Sequence, residues 1–331
     1  MQKEHKAKNR LLLWAFLLFL LVFVVSAVFL LLEIWERQQG RFAEIPQKES
    51  SIEYMGTDYV FKNDVETFLI MGLDKFEQTA SEDSFNNEMQ ADFLMLLVFD
   101  KSAQKCTALQ INRDTMTDVH VLGVAGQQTA TVTEQIALAH TYGNGKQVSC
   151  RNTADAVSGL LRGVNVDHYI SLTMDSVATL NDLAGGVEVT VLDDFSGVDN
   201  TLIKGETVTL QGEHTLNYVR TRYGLEDSTN NTRMARQRQY LNALFAKVNQ
   251  CAKEDDNFIV NASLEMADYI VSDRSATQLQ ELAKNVTEYG EIEIKTLDGT
   301  STVGEEFMEF YPDEDSVKKT VVELFCKPKS P

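Results

Sequence analysis

Hydrophobic and polar positions fall into three regimes along this chain. Leu11 to Leu32 is an unbroken run of twenty-two uncharged, mostly apolar residues. At about 1.5 Å per residue, a helix of that length matches a hydrocarbon core of about 30 Å. The preceding residues, MQKEHKAKNR, set Lys3, Lys6, Lys8 and Arg10 against Glu4. Positive charge stays inside, which leaves 1–10 as a cytoplasmic tail and places the chain beyond Glu33 outside. The run is longer than a signal-peptide core of about 7–15 residues and no A-x-A site follows it, so it reads as an uncleaved N-terminal transmembrane helix over 11–32. Trp14 and Trp35, the only tryptophans, lie near its two ends, as interfacial anchors do. Residues 33–63 are polar and read as an extracellular stalk. From 64 to 327 the pattern is globular, without repeats or a low-complexity linker, and reads as one domain.

Within that domain, VETFLIMG (65–72) predicts a strand. DFLMLLVF (92–99) is apolar throughout, as in a central strand buried on both faces. KCTALQI (105–111) predicts a third strand, and the short turn before it favours an antiparallel neighbour. DHYISL, VEVTVL (187–192) and TLNYVRTR (215–222) predict further strands. TEQIALAHTYG (133–143), NTADAVSGLLRG (152–163) and MDSVATLNDLAGG (174–186) predict helices stopped by glycine. RMARQRQYLNALFAKV (233–248) predicts a helix with Leu241, Leu244, Phe245 and Val248 on one stripe. SATQLQELAKNV and DEDSVKKTVVELF supply later helices. Interleaved strands and helices, some strands antiparallel, define an α/β fold: three layers, α-β-α, around a twisted mixed sheet.

Composition sharpens this picture. A hydrophobic share of 44% and a charged share of 24% fit a globular domain, and the net charge of −19 argues against nucleic acid as a partner. The four cysteines, Cys106, Cys150, Cys251 and Cys326, lack metal-type spacing; two disulfides are compatible with the exported side but nothing specifies them. Cys106 sits in an apolar alternating run and reads as a buried, inert thiol. His120, His140, His168 and His214 show no zinc spacing, and no glycine-rich nucleotide loop is present.

Two clusters carry candidate chemistry. If the first three strands are antiparallel, Asp74, Asp92 and the turn Asn112-Arg113-Asp114 meet at one sheet edge. Ligands bind just outside strand ends in open α/β sheets, and convergent carboxylates suit a hard cation such as Mg²⁺. The plainer account is that Asp74 and Asp114 are turn residues. The second cluster is more unusual: five of the twelve arginines, Arg220, Arg222, Arg233, Arg236 and Arg238, fall within nineteen residues of an acidic protein. Arg220 and Arg222 would share one face of a strand. Arg233 and Gln237 would share one face of the next helix, near its positive N-terminus, where an anion binds. Arg236 and Arg238 have the competing reading of solvated surface residues, favoured for Arg238, and Glu226 or Asp227 could neutralise the cluster without any ligand. Together the clusters describe a site for a metal and a phosphate or pyrophosphate.

The pieces FLIMGLD, QADFLMLLVFD, LQINRDT, LAGGVEVTV, LQGEHTLNYVRTR and RMARQRQ resemble, in order and spacing, the LytR-CpsA-Psr family of membrane-anchored cell-wall glycopolymer ligases. The resemblance runs from about Thr67 to Val248, and more faintly over 310–325. It implies transfer of a glycopolymer, such as teichoic acid or capsule, from a polyprenyl-pyrophosphate carrier to a peptidoglycan hydroxyl, at the membrane, with an apolar pocket for the lipid. It implies Mg²⁺, or Mn²⁺, on Asp74 and Asp92; pyrophosphate on Arg113, Arg220, Arg222, Arg233 and Gln237; and Asp227 as an acid assisting the acceptor, with Arg222 and Arg113 acting on the reacting phosphates. Three departures stand out. Gln90-Ala91-Asp92 replaces Arg-Ser-Asp, Asn112 replaces proline, and Asn230 stands where the family acid often lies three residues before the arginine. Two other functions share this site chemistry: a pyrophosphatase with water as acceptor, and a non-catalytic regulator that binds envelope lipid, which the missing arginine at Gln90 favours.

Overall fold

The computed structural model describes residues 51–74, 87–221, 230–290, 292–305 and 307–329. The proposed anchor at 11–32 lies outside them; among the described residues no helix is long and apolar enough to cross a membrane. The described residues all belong to one compact unit.

Its centre is a six-stranded mixed sheet built from β1 (Val65–Leu73), β2 (Phe93–Asp100), β3 (Lys105–Ile111), β4 (His168–Thr173), β5 (Ile270–Ser272) and β6 (Glu293–Thr296). The spatial order is β5-β4-β1-β2-β3-β6. β2 is antiparallel to β3, as the short connection predicted, and β1 is antiparallel to β2, while β4 runs parallel to β1 and β6 to β3. Side chains alternate between the two faces. Leu69, Met71, Leu94, Leu96 and Leu109 join one core with helix α1 (Gln147–Leu160), and Phe68, Met95, Leu97 and Ala108 join the other. This two-sided burial explains why β2 reads as unbroken apolar sequence, with six consecutive buried residues.

On the second face lie α2 (Met174–Leu183), α3 (Gly212–Arg220), α4 (Asn230–Glu254), α5 (Phe258–Glu265) and α6 (Ala276–Glu288). Leu241 and Phe245 of α4, with Leu279 and Leu282 of α6, pack against the sheet there. On the first face α7 (Glu314–Phe325) packs beside α1 through Val317, Val321 and Phe325. Helices thus cover both faces of the mixed sheet.

Three expectations are corrected. Residues 215–220 of TLNYVRTR are not a strand: they form the end of α3. Its β-branched and aromatic residues favour a strand by propensity, but Thr215, Tyr218 and Val219 are buried at i, i+3, i+4, so packing follows the helical period. The helix expected over 133–143 is instead the end of a strand, Gln128–Gln135, and a 3-10 turn, Ile136–Thr141. The strand pairs with Met116–Leu122, while Ile136, Ala137, Ala139 and His140 are all buried rather than striped. Finally, part of the 33–63 stalk belongs to the folded unit: Ile52–Tyr54 and Thr57–Phe61 form a hairpin that pairs with Cys326–Pro328, and Ile52 enters the core. Alternation of apolar residues within a polar average hid it.

Candidate functional site

The central register brings the expected carboxylates and Arg113 to one edge. Gly72 pairs with Phe93 and Leu94 with Ile111, so Asp74, Asp92 and Arg113 leave the sheet on the same side. Asp92 and Arg113 are ion-paired. Arg113 Nη2 also donates to Gln90 Oε1 at 2.6 Å, and its Nε lies 3.3 Å from Asp114 Oδ1. Gln90, where the resemblance leads one to expect an arginine, therefore serves as an acceptor that fixes Arg113. Asp74 is ion-paired with Arg220.

The second expected cluster converges on this edge only in part. Arg233, in the first turn of α4, donates to Asn230 Oδ1 at 3.0 Å and to the Asp92 carbonyl at 3.3 Å. Asn230 in turn donates to Asn112 Oδ1. Two departures from the family pattern thus contact each other and tie the end of β3 to the start of α4, a bond that proline at 112 could not make. Gln237 lines the apolar cavity next to this edge, while its Nε2 donates to the Val219 carbonyl and its Oε1 accepts from Gln110 Nε2, both at 3.1 Å. Arg222 and Asp227 lie outside the described residues, and the shared strand face expected for Arg220 and Arg222 is overturned, because Arg220 ends a helix.

The solvated reading of Arg236 and Arg238 is also corrected. Arg236 is fully buried, 0% exposed. Its two terminal nitrogens donate to the carbonyls of Tyr218 and Thr221, and its Nε lies 2.8 Å from Asp193. The guanidinium carbon stacks 5.2 Å from the centroid of Phe195. Burial pulls its pKa down, against the upward pull of Asp193. Arg238 is half-buried and donates to Gln110 Oε1 at 3.1 Å. Sequence held a signal for Arg236: it precedes the buried Tyr240 and Leu244 at i+4 and i+8, in line with the inward stripe.

An apolar cavity of about 220 Å³ adjoins this polar edge. It lies between the sheet, α2 and α4, and its walls include Ile70, Gly72, Phe93, Leu180, Leu241 and Phe245. Gly72 is two residues from Asp74, and Phe93 follows Asp92. The two carboxylates are hard oxygen donors, the type that Mg²⁺ takes, with side chains 48% and 27% exposed, and each is paired with an arginine in this structure. Among the described residues no group of three or more His, Cys, Asp or Glu is placed to hold a metal ion. None of the cysteines is paired in a disulfide. Burial pushes the thiols of Cys106 and Cys150 up to about 12, in keeping with an inert Cys106.

The fold and edge define an α/β domain with an arginine–carboxylate site beside an apolar cavity. The chain matches the LytR_cpsA_psr family over residues 38–325 and belongs to it. It is 30% identical over 179 residues to a polyisoprenyl-teichoic acid–peptidoglycan teichoic acid transferase, TagU of Halalkalibacterium halodurans, covering 54% of this chain and 51% of that protein. The chain thus spans about half the length of this relative. Its fold is similar to B. subtilis TagV, with a TM-score of 0.59 at 23% identity over 79% of this chain and 97% of that one. It is also similar to a structure described as TagT bound to LI-WTA, with a TM-score of 0.59 at 20% identity over 84% and 95% of the two chains.

Proposed function

We propose that this protein transfers a glycopolymer from a polyprenyl-pyrophosphate carrier to a hydroxyl of peptidoglycan, held at the membrane by residues 11–32 with its catalytic domain outside. The observation that carries the reading is the adjacency of an apolar cavity to an arginine–carboxylate edge. That pairing fits one ligand with a long apolar tail and a polyanionic head. Membership of a family that includes teichoic acid transferases supports the reaction type.

Arg113, Arg220 and Arg233 would bind the pyrophosphate oxygens, with Arg222 contributing from outside the described residues. Charge-assisted bonds from guanidinium to phosphate are stronger than neutral ones and are geometrically specific. The acceptor oxygen then bonds to the phosphorus carrying the polymer. The bridging P–O bond breaks, polyprenyl phosphate leaves, and the hydroxyl proton passes to a carboxylate, the role proposed for Asp227. Asp74 and Asp92 would hold Mg²⁺, which when bound neutralises charge developing on the phosphates. No protein nucleophile is needed.

The test uses variants of the edge. Asp92→Ala and Arg113→Ala are each expected to lower transfer by about a hundredfold or more, as for removal of other preorganised charge stabilisers, with unchanged circular dichroism. Wild-type rates in either variant would refute the site.

A further inference from the structure

The last turn of α3 is capped by side chains of another helix. Helix ends leave carbonyls without intrahelical partners, and cations are favoured at the negative end of the dipole. Here Tyr218 O accepts from Arg236, Val219 O accepts from Gln237, and Thr221 O accepts from Arg236. Just before them, Asn217 O accepts from the backbone N–H of Thr221 at 3.2 Å. Two consecutive residues of α4 therefore satisfy the carbonyls of Tyr218, Val219 and Thr221. Within that stretch lies Arg220, whose guanidinium pairs with Asp74 at the sheet edge.

The arrangement explains why a fully buried position holds a charged residue. Burying a cation is unfavourable unless hydrogen bonds and a counter-ion compensate. Arg236 has carbonyl acceptors on two terminal nitrogens, Asp193 at Nε, and the faces of Phe195 and Tyr218 at 5.2 and 6.0 Å. Only a planar fork reaches two carbonyls at the end of α3 while lying beside the Asp193 carboxylate; a lysine ammonium would reach fewer.

We infer that Arg236 and Gln237 are positioning residues: they form a C-terminal cap in trans that sets where α3 ends and so aims Arg220 at the site. The inference rests on the proposed anion site, but its first readout does not depend on that site.

The test compares the full-length chain in detergent with Arg236→Lys, Gln237→Met, Arg220→Ala and the double variant Arg220→Ala/Arg236→Lys. Backbone hydrogen exchange over 216–221 should speed up in Arg236→Lys and in Gln237→Met. Inorganic pyrophosphate, titrated calorimetrically at fixed Mg²⁺, should bind about fivefold more weakly to each, the loss of about one hydrogen bond. In the Arg220→Ala background, Arg236→Lys should add no further loss, since its effect passes through Arg220. Additive losses, or a Gln237→Met variant that binds more weakly while its exchange is unchanged, would overturn the assignment. Faster exchange together with no pyrophosphate binding by the wild-type chain supports the cap and instead contradicts the proposed function.

Discussion

Asp92, Arg113 and Gln90 illustrate how one substitution reshapes a charged edge. An arginine at position 90 would add a cation beside Arg113; glutamine instead accepts a hydrogen bond from it at 2.6 Å. Gln90→Arg should therefore tighten pyrophosphate binding by about fivefold, one added charge-assisted bond, and lower thermal stability in its absence through cation repulsion. Calorimetry and a melting curve read the two effects separately; tighter binding with no loss of stability would show that Gln90 does not hold Arg113. The cysteines give a second residue-scale expectation. Cys106 and Cys150 are fully buried with thiols pushed up to about 12, and Cys326 is only 5% exposed. A thiol reagent at pH 8 should label no more than one cysteine, Cys251, until denaturant is added.

At the scale of elements, the turn Ile136–Thr141 holds the segment leading into β2. His140 Nδ1 donates to the Met89 carbonyl at 2.8 Å, and Asn87 donates to the carbonyls of His140 and Thr141 at 3.0 Å. Burial pulls the His140 pKa from 6.5 down to about 4, the bond to Met89 opposing it. Between those values the unfolded chain binds the proton and the folded chain does not. Stability from this group is therefore complete above pH 6.5 and is lost as pH falls towards 4, by up to about 3 kcal/mol. Urea titrations across that window should show the loss, and a His140→Gln variant should show a shallower slope; equal slopes would contradict the assignment. The central strands were legible because each has an unbroken or alternating apolar pattern, and the turn between β2 and β3 is short. Asp74, Asp92 and Arg113 followed from antiparallel pairing alone. The end of α3 was not legible, since Tyr218 and Val219 carry strand propensity and only contact with α4 reveals the helical face. Arg236 was missed for a related reason: arginine is expected at the surface, and its partners are backbone carbonyls, which sequence does not mark. The Asn112–Asn230 bond likewise joins residues 118 apart in the chain.

For the whole molecule, the proposed function needs the apolar cavity and the polar edge to act on one donor. The cavity between α2 and α4 should decide which donors are used. Leu241→Trp, which fills it, should raise KM for a long-chain polyprenyl donor by about tenfold, as lost burial of two methylenes would, and leave a short-chain water-soluble analogue unaffected. Equal effects on both donors would place the lipid elsewhere. The most direct measurement incubates the full-length chain with a polyprenyl-pyrophosphate-linked glycopolymer, peptidoglycan and Mg²⁺, and follows both products. Polyprenyl monophosphate should appear in step with polymer bound to peptidoglycan, and Asp92→Ala should abolish both. Tight donor binding without phosphate release, or release of free polymer independent of peptidoglycan, would contradict transfer.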